Sequence, residues 1–196
     1  VSVTALISAM ILGYVLGSIP FGVVLTRLAG AGDLHAIGSG GTGATNVLRT
    51  GRKGLAAATL LLDLAKGFVV VFLARGFWPG MEAVAGVAAI VGHCYPIWLR
   101  FRGGKGVATM MGVCLGLSWT IGLVFAVVWV VVLAATRISS AGGMSAAIAA
   151  PIAAQVLGYQ VYGPALMAMG LIVLWRHRDN IRRLLTGREP RIGKKG

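Results

Sequence analysis

The 196 residues fit one domain, expected to run from residue 1 to residue 196. Hydrophobic residues make up 57% and charged residues 12%, against about 45–50% and about 25% in water-soluble domains, which excludes a soluble fold because it could not hide so much apolar surface. A formal net charge of +13 invites a nucleic-acid partner, but the cations are divided among short segments between apolar runs; that excludes a continuous basic face and points to anionic membrane lipids.

Residues 3–28 form a first apolar span, with Gly17, Ser18 and Pro20 marking a kink near its end. It lacks the positive start and cleavage-like boundary of a signal peptide and is expected to be retained. Residues 29–53 turn rich in Gly, Thr, Ser and Asn, and are expected to be a long loop. A second span covers about residues 54–74, a turn residues 75–80, and a third span residues 81–99. It delivers the chain to a second basic loop, RFRGGK at residues 100–105. A short fourth span at residues 106–117 and a fuller fifth at residues 120–136 are separated only by Ser118 and Trp119. Residues 137–143 form a polar turn, residues 144–157 a sixth span broken by Pro151, and residues 164–175 a seventh before a basic tail.

The expected fold is therefore an all-α, polytopic membrane bundle of about seven transmembrane helices. An odd number of crossings puts the termini on opposite sides, and the distribution of Lys and Arg decides which is which, because cytoplasmic loops carry the excess. Arg27, Arg49, Arg52, Lys53, Arg100, Arg102, Lys105, Arg137 and the basic tail all fall on one side, and only Arg75 on the other. The N-terminus is expected outside, in the periplasm, and the C-terminus in the cytoplasm.

GSGGTG at residues 38–43 fits GxGxxG, but that fingerprint has force only between a strand and a helix, and here the flanks are membrane helices. RGGKGVAT at residues 102–109 fails the Walker pattern because Gly106 follows the lysine. Both loops nevertheless expose backbone N–H groups of consecutive glycines at the electropositive start of a helix, a place that suits phosphate. Ser39, Thr42, Thr45, Asn46 and Arg49 add donors to the first loop, and Lys105 adds a point charge to the second. The alternative is that these glycines only permit tight turns and close helix packing. In the tail, His177 and Asn180 share one face at i,i+3 spacing and can reach the same phosphate site; a solvated His among arginines is the alternative. Cys94 and Cys114 lack metal-ligand spacing, and no metal or organic cofactor is implied.

Six ordered motifs carry a resemblance over nearly the whole chain: GSIPFG at 17–22, GSGGTGATNVLR at 38–49, DLAKG at 63–67, GHCYP at 92–96, RGGKGVAT at 102–109 and HRDNIRRLLTGRE at 177–189. Together they resemble the bacterial acyl-phosphate-dependent glycerol-3-phosphate acyltransferase family, integral inner-membrane enzymes of phospholipid synthesis. The resemblance implies transfer of a fatty acyl group from acyl phosphate to the 1-hydroxyl of glycerol 3-phosphate, giving lysophosphatidate and phosphate. It implies a cytoplasmic active site, and makes the enzyme that produces acyl phosphate a candidate partner. Carried onto this chain, Ser39, Arg49, Lys105, His177 and Asn180 are the catalytic candidates. Gly38, Gly40, Gly41, Thr42, Gly43, Thr45, Asn46, Gly103, Gly104, Gly106, Thr109 and Ser140 are expected to bind substrate. Lys105 with the N–H groups of Gly103, Gly104 and Gly106 would hold one phosphate, the first loop would arrange the other, and His177 and Asn180 would orient glycerol 3-phosphate.

Two positions depart from the family pattern: Gly41 stands where Asn is usual, and Gly143 where a second serine would follow Ser140. The group that removes the hydroxyl proton stays open between His177 and the substrate's own phosphate. Asp63 and Lys66, at i,i+3 within the second span, are read as a mutually neutralising pair or as part of a substrate channel. From a different functional class, a transporter of phosphorylated solutes would also need basic residues and broken helices, although no internal repeat is evident.

Overall fold

The computed structural model describes residues 2–38 and 40–193, and among them helices and turns account for the whole fold, with no strand. The first span divides into α1 (Val3–Gly17) and α2 (Phe21–Leu28). Pro20 causes the break, since it lacks an N–H and steers Ile19 away from helical geometry. The carbonyls released there find partners on distant elements: Trp98 Nε1 donates to Ser18 O at 2.7 Å and Lys66 Nζ to Ile19 O at 2.8 Å.

The loop that follows contains a 3₁₀ turn at Leu34–Ala36 and a short helix, α3 (Ala44–Leu48). α4 (Lys53–Phe77) runs further than the expected second span, taking Arg75 into its last turn, where the guanidinium donates to Leu117 O at 3.2 Å. α5 (Glu82–Cys94) ends earlier than the expected third span, and the chain reaches the second basic loop through a 3₁₀ turn at Ile97–Leu99. α6 (Val107–Leu117) and α7 (Trp119–Thr136) meet at Ser118 alone.

Two expectations need correction in α8 (Ser139–Val156). The stretch from residue 137 to 143 is not a polar turn: Arg137, at φ 61°, makes the turn by itself and the helix starts at Ser139. Nor does Pro151 break the span, because it lies within the helix, which runs on to Val156. α9 (Gly163–Arg176) and α10 (Arg178–Leu185) are joined at His177.

Helix α5 packs on α1, α4 and α9, α6 lies between α4 and α7, and α8 bridges α7 to α9. Ile90, Met110, Phe125, Leu166 and Met169 fill the shared core. Helices α4 and α6 touch backbone to backbone: a Cβ at Gly112 would fall 1.9 Å from Leu64 O, so only glycine fits there. Large apolar side chains such as Leu61, Phe72, Val131 and Leu171 face outward, the arrangement of a protein whose solvent is lipid. Val3–Leu28, Lys53–Phe77, Glu82–Leu99 and Trp119–Thr136 are long and apolar enough to cross a membrane. The 11 residues of α6 rise only about 16 Å, roughly half of a bilayer's hydrocarbon core.

Candidate active site

Both glycine-rich loops, the start of α8, the α9–α10 junction and the tail after α10 surround one cavity of about 630 Å³. It reaches down to Asp63, which lies about 15 Å along α4 from Lys53.

The first loop is braced by its own side chains. Asn46 Nδ2 donates to Leu34 O at 2.9 Å and its Oδ1 accepts from Arg49 Nη1 at 3.2 Å, which sets Arg49 in the cavity wall. Thr45 Oγ1 and Ser139 Oγ share a hydrogen bond at 3.0 Å, tying the loop to α8. His35 Nδ1 donates to Gly40 O at 3.0 Å and closes the hairpin before α3.

In the second loop the N–H groups of Gly103 and Gly104 donate to Cys94 O and His93 O at 3.2 and 3.1 Å. These two groups are therefore spent on the fold, which corrects their assignment as phosphate donors. Arg176 clamps the same segment from the other side, donating through Nε to Gly104 O and Nη2 to Gly103 O, both at 3.0 Å, with its guanidinium over the Tyr95 ring. Gly106, at φ 86°, turns the chain into α6. The N-termini of α6 and α8 both open on the cavity and add to its positive potential.

Lys105 Nζ donates to Asn180 Oδ1 at 2.6 Å. Asn180 Nδ2 in turn donates to Glu189 Oε1 at 2.5 Å, and the same oxygen accepts from Ser140 Oγ at 2.7 Å. Glu189 Oε2 takes Arg183 Nε at 2.7 Å. Burial would raise the Glu189 carboxyl, but the hydrogen bonds from Ser140, Asn180 and Arg183 outweigh it and hold the group below the ordinary glutamate value. Burial also pulls the Lys105 ammonium down to about 8, with the Glu189 carboxylate opposing and Arg183, Arg49 and Arg176 reinforcing the shift. His177 is 2% exposed, and burial lowers its imidazole to about 4. It is therefore neutral near pH 7; Nδ1 carries the hydrogen it gives to Val173 O at 2.8 Å, which leaves Nε2 with a lone pair.

Of the residues expected from sequence, Gly41, Gly43, Thr45, Asn46, Arg49, Gly104, Lys105, Gly106, Ser140, His177 and Asn180 line the cavity. Gly38, Gly40, Thr42, Gly103 and Thr109 are not in its lining: Thr42 and Thr109 are buried, and Thr109 Oγ1 is bonded to His93 Nδ1 at 3.1 Å. Ser39 lies outside the described residues. Glu189 and Ser139 of the lining were not among the expected site residues, nor was an apolar wall of Leu60, Met111, Phe125 and Trp129, nor Arg176, which holds the second loop from outside the lining. Glu189 closes a motif that was visible, but its role depends on the chain reversing at Gly187, φ 67°, which brings residues 189–193 back onto the site. Cys94 and Cys114 are buried free thiols outside the lining.

A cationic end joined to an apolar wall suits an amphiphile with a phosphorylated head, and comparison with known proteins agrees. The family model described as glycerol-3-phosphate acyltransferase matches residues 7–187. The chain belongs to that family. A glycerol-3-phosphate acyltransferase of Novosphingobium aromaticivorans is 64% identical over 186 residues, covering 95% of this chain and 94% of that one. One of Erythrobacter litoralis is 59% identical over 187 residues, 95% of each. Among solved structures, the glycerol 3-phosphate form of PlsY, an integral membrane glycerol 3-phosphate acyltransferase, superposes with a TM-score of 0.91 at 38% identity over 96% of each chain. Its lysophosphatidic acid form gives a TM-score of 0.89, also at 38% identity, over 96% of this chain and 95% of that one. The chain is thus an integral membrane acyltransferase, and the transporter alternative has no support.

Because Lys105 holds its proton only below about 8, kcat/KM for acyl transfer should fall as pH rises through that value in the free enzyme. An arginine stays charged far above it, so Lys105→Arg should abolish this alkaline limb even if it turns over slowly. A limb of unchanged position in the variant removes Lys105 as its source.

Proposed function

We propose that the chain transfers a fatty acyl group from acyl phosphate to the 1-hydroxyl of glycerol 3-phosphate, releasing lysophosphatidate and inorganic phosphate. The observation that carries this reading is the single cavity that joins Lys105 and Arg49 to an apolar wall of Met111, Phe125 and Trp129. Two phosphates need a basic end, and one long alkyl chain needs an apolar one, at ~0.8 kcal/mol per buried CH₂. Acyl phosphate is a mixed anhydride and arrives activated. The hydroxyl oxygen attacks the acyl carbon, the bond from that carbon to the phosphate oxygen breaks, and the site supplies orientation and charge stabilisation.

Direct transfer with sequential kinetics fits the site: neither thiol is in the lining, and Ser140 and Lys105 are engaged with Glu189 and Asn180. Lys105 and Arg49 offset the charge of the departing phosphate and of the acceptor's phosphate. Asn180 and Ser140, locked by Glu189, fix the geometry between them. His177 points its Nε2 lone pair at the acceptor hydroxyl. With its imidazole lowered to about 4, it is a weaker base than a phosphate monoester, whose second pKa is about 6. The substrate's phosphate therefore takes the proton and His177 orients the hydroxyl.

The cations gather at the end of the bundle that bears the site, and the positive-inside rule places that end in the cytoplasm. With about seven crossings of a bacterial inner membrane, as the apolar runs and the family resemblance suggest, the same rule puts the N-terminus outside. Membrane lipids surround the bundle, and the enzyme that makes acyl phosphate is a candidate partner at this face.

Purified protein given acyl phosphate and glycerol 3-phosphate should form lysophosphatidate and phosphate in equal amounts; no product from this pair defeats the assignment. His177→Asn, which keeps a hydrogen-bonding atom but cannot titrate, should retain appreciable rate. An inactive Asn variant with unchanged glycerol 3-phosphate affinity would make His177 the base instead. With both native cysteines replaced, an impermeant thiol reagent added to intact cells should label Pro79→Cys and spare Arg102→Cys; the opposite pattern reverses the orientation.

A further inference from the structure

Beneath the Lys105 loop lies a cluster of ionisable side chains for which the proposed reaction has no direct use. Asp63 and Lys66 of α4 and His93 of α5 are 2%, 6% and 6% exposed. Lys66 Nζ is 2.7 Å from Asp63 Oδ1, and His93 Nδ1 is 3.7 Å from that oxygen and 3.1 Å from Thr109 Oγ1. Replacing such a buried ion pair by apolar residues often costs a protein nothing in stability, so its presence calls for another explanation.

The two ends of the cluster supply one. Lys66 Nζ also donates to Ile19 O at 2.8 Å and lies 5.7 Å from the centre of the Phe21 ring, gripping the α1–α2 break. The first phosphate-binding loop departs from α2. At the other end the His93 ring is the surface against which Gly104 rests: a Cβ there would fall 2.2, 2.9 and 3.1 Å from Nε2, Cε1 and Cδ2 of the imidazole. His93 O accepts the Gly104 N–H, while Arg176 holds the Gly103 and Gly104 carbonyls from the opposite side.

We infer that Lys66, Asp63 and His93 are positioning residues that set the placement of the Gly104–Lys105 backbone relative to the first loop, and so the spacing of the two bound phosphates. The inference rests on the acyl-transfer reading above. His93 acts through Gly104 on Lys105; Lys66 acts through Ile19 on α2; Asp63 couples the two. Asp63 and His93 border the cavity floor, but Asp63 Oδ1 faces Lys66 Nζ and His93 Nδ1, and His93 Nδ1 faces Thr109.

The test is size complementation. Gly104→Ala should lower kcat/KM by roughly tenfold to a hundredfold, the scale of loss when reacting groups are displaced by about 1 Å. His93→Ala should also be slowed, yet the double variant His93→Ala/Gly104→Ala should be faster than Gly104→Ala, because the space left by the imidazole accepts the new methyl. A general loss of stability predicts the reverse order. Asp63→Asn, which keeps shape and removes charge, should raise KM for both phosphorylated substrates and give a second measurement if Gly104→Ala does not fold. A double variant no faster than folded Gly104→Ala, or wild-type kinetics in Asp63→Asn, overturns the inference. If wild-type protein makes no lysophosphatidate, the acyl-transfer reading fails first, and the two failures are told apart.

Discussion

The carboxylate of Glu189 is the contact on which the site's geometry depends. Its oxygens take hydrogen bonds from Ser140 at the start of α8, Asn180 on α10 and Arg183 one turn further on, and Asn180 passes the constraint to Lys105. Three separately folded segments, the start of α8, α10 and the Lys105 loop, are thereby referred to one anion. The chain carries 18 Lys and Arg against 5 Asp and Glu, and the cavity gathers Arg49, Lys105 and Arg191 with two helix N-termini. A fixed negative charge limits their mutual repulsion and opposes loss of the Lys105 proton, which burial and the neighbouring guanidiniums favour.

Much of this was legible in the sequence, and the reasons differ by element. The glycine loops and Lys105 could be brought to one face because glycine clusters and cations between apolar runs mark chain turns on the side where Lys and Arg gather. The start of α8 was misread because Ser139, Ser140, Gly142 and Gly143 look like a soluble turn, whereas small residues are ordinary at close helix contacts in lipid. Phe125 and Trp129 could not be singled out, since α7 is apolar on every side and its pattern selects no face. The donor role of Gly103 and Gly104 was misjudged because a sequence does not tell where a backbone N–H is spent, and theirs close the loop onto α5.

Polar groups inside the bundle follow one rule throughout. Lys66, His93, Trp98 and Arg75 each reach a carbonyl, a carboxylate or a hydroxyl on another element. In lipid no water is at hand to serve these groups, so each broken helix end must be met by a side chain from elsewhere. The kink at Pro20 is thus a point where four elements are fastened together: α1 and α2 at the broken carbonyls, α4 through Lys66, and the 3₁₀ turn at Ile97–Leu99 through Trp98.

The one-residue joint at Ser118 bears on how the cavity can move. Lys105 stands two residues before α6, and Phe125 and Trp129 stand on α7, with no loop between the two helices to absorb a displacement. The cationic wall and the apolar wall are in effect the two jaws of a fixed gauge. Whatever adjustment a bulkier or longer guest demands must come from the opposite side, where the first loop and the returning tail complete the enclosure.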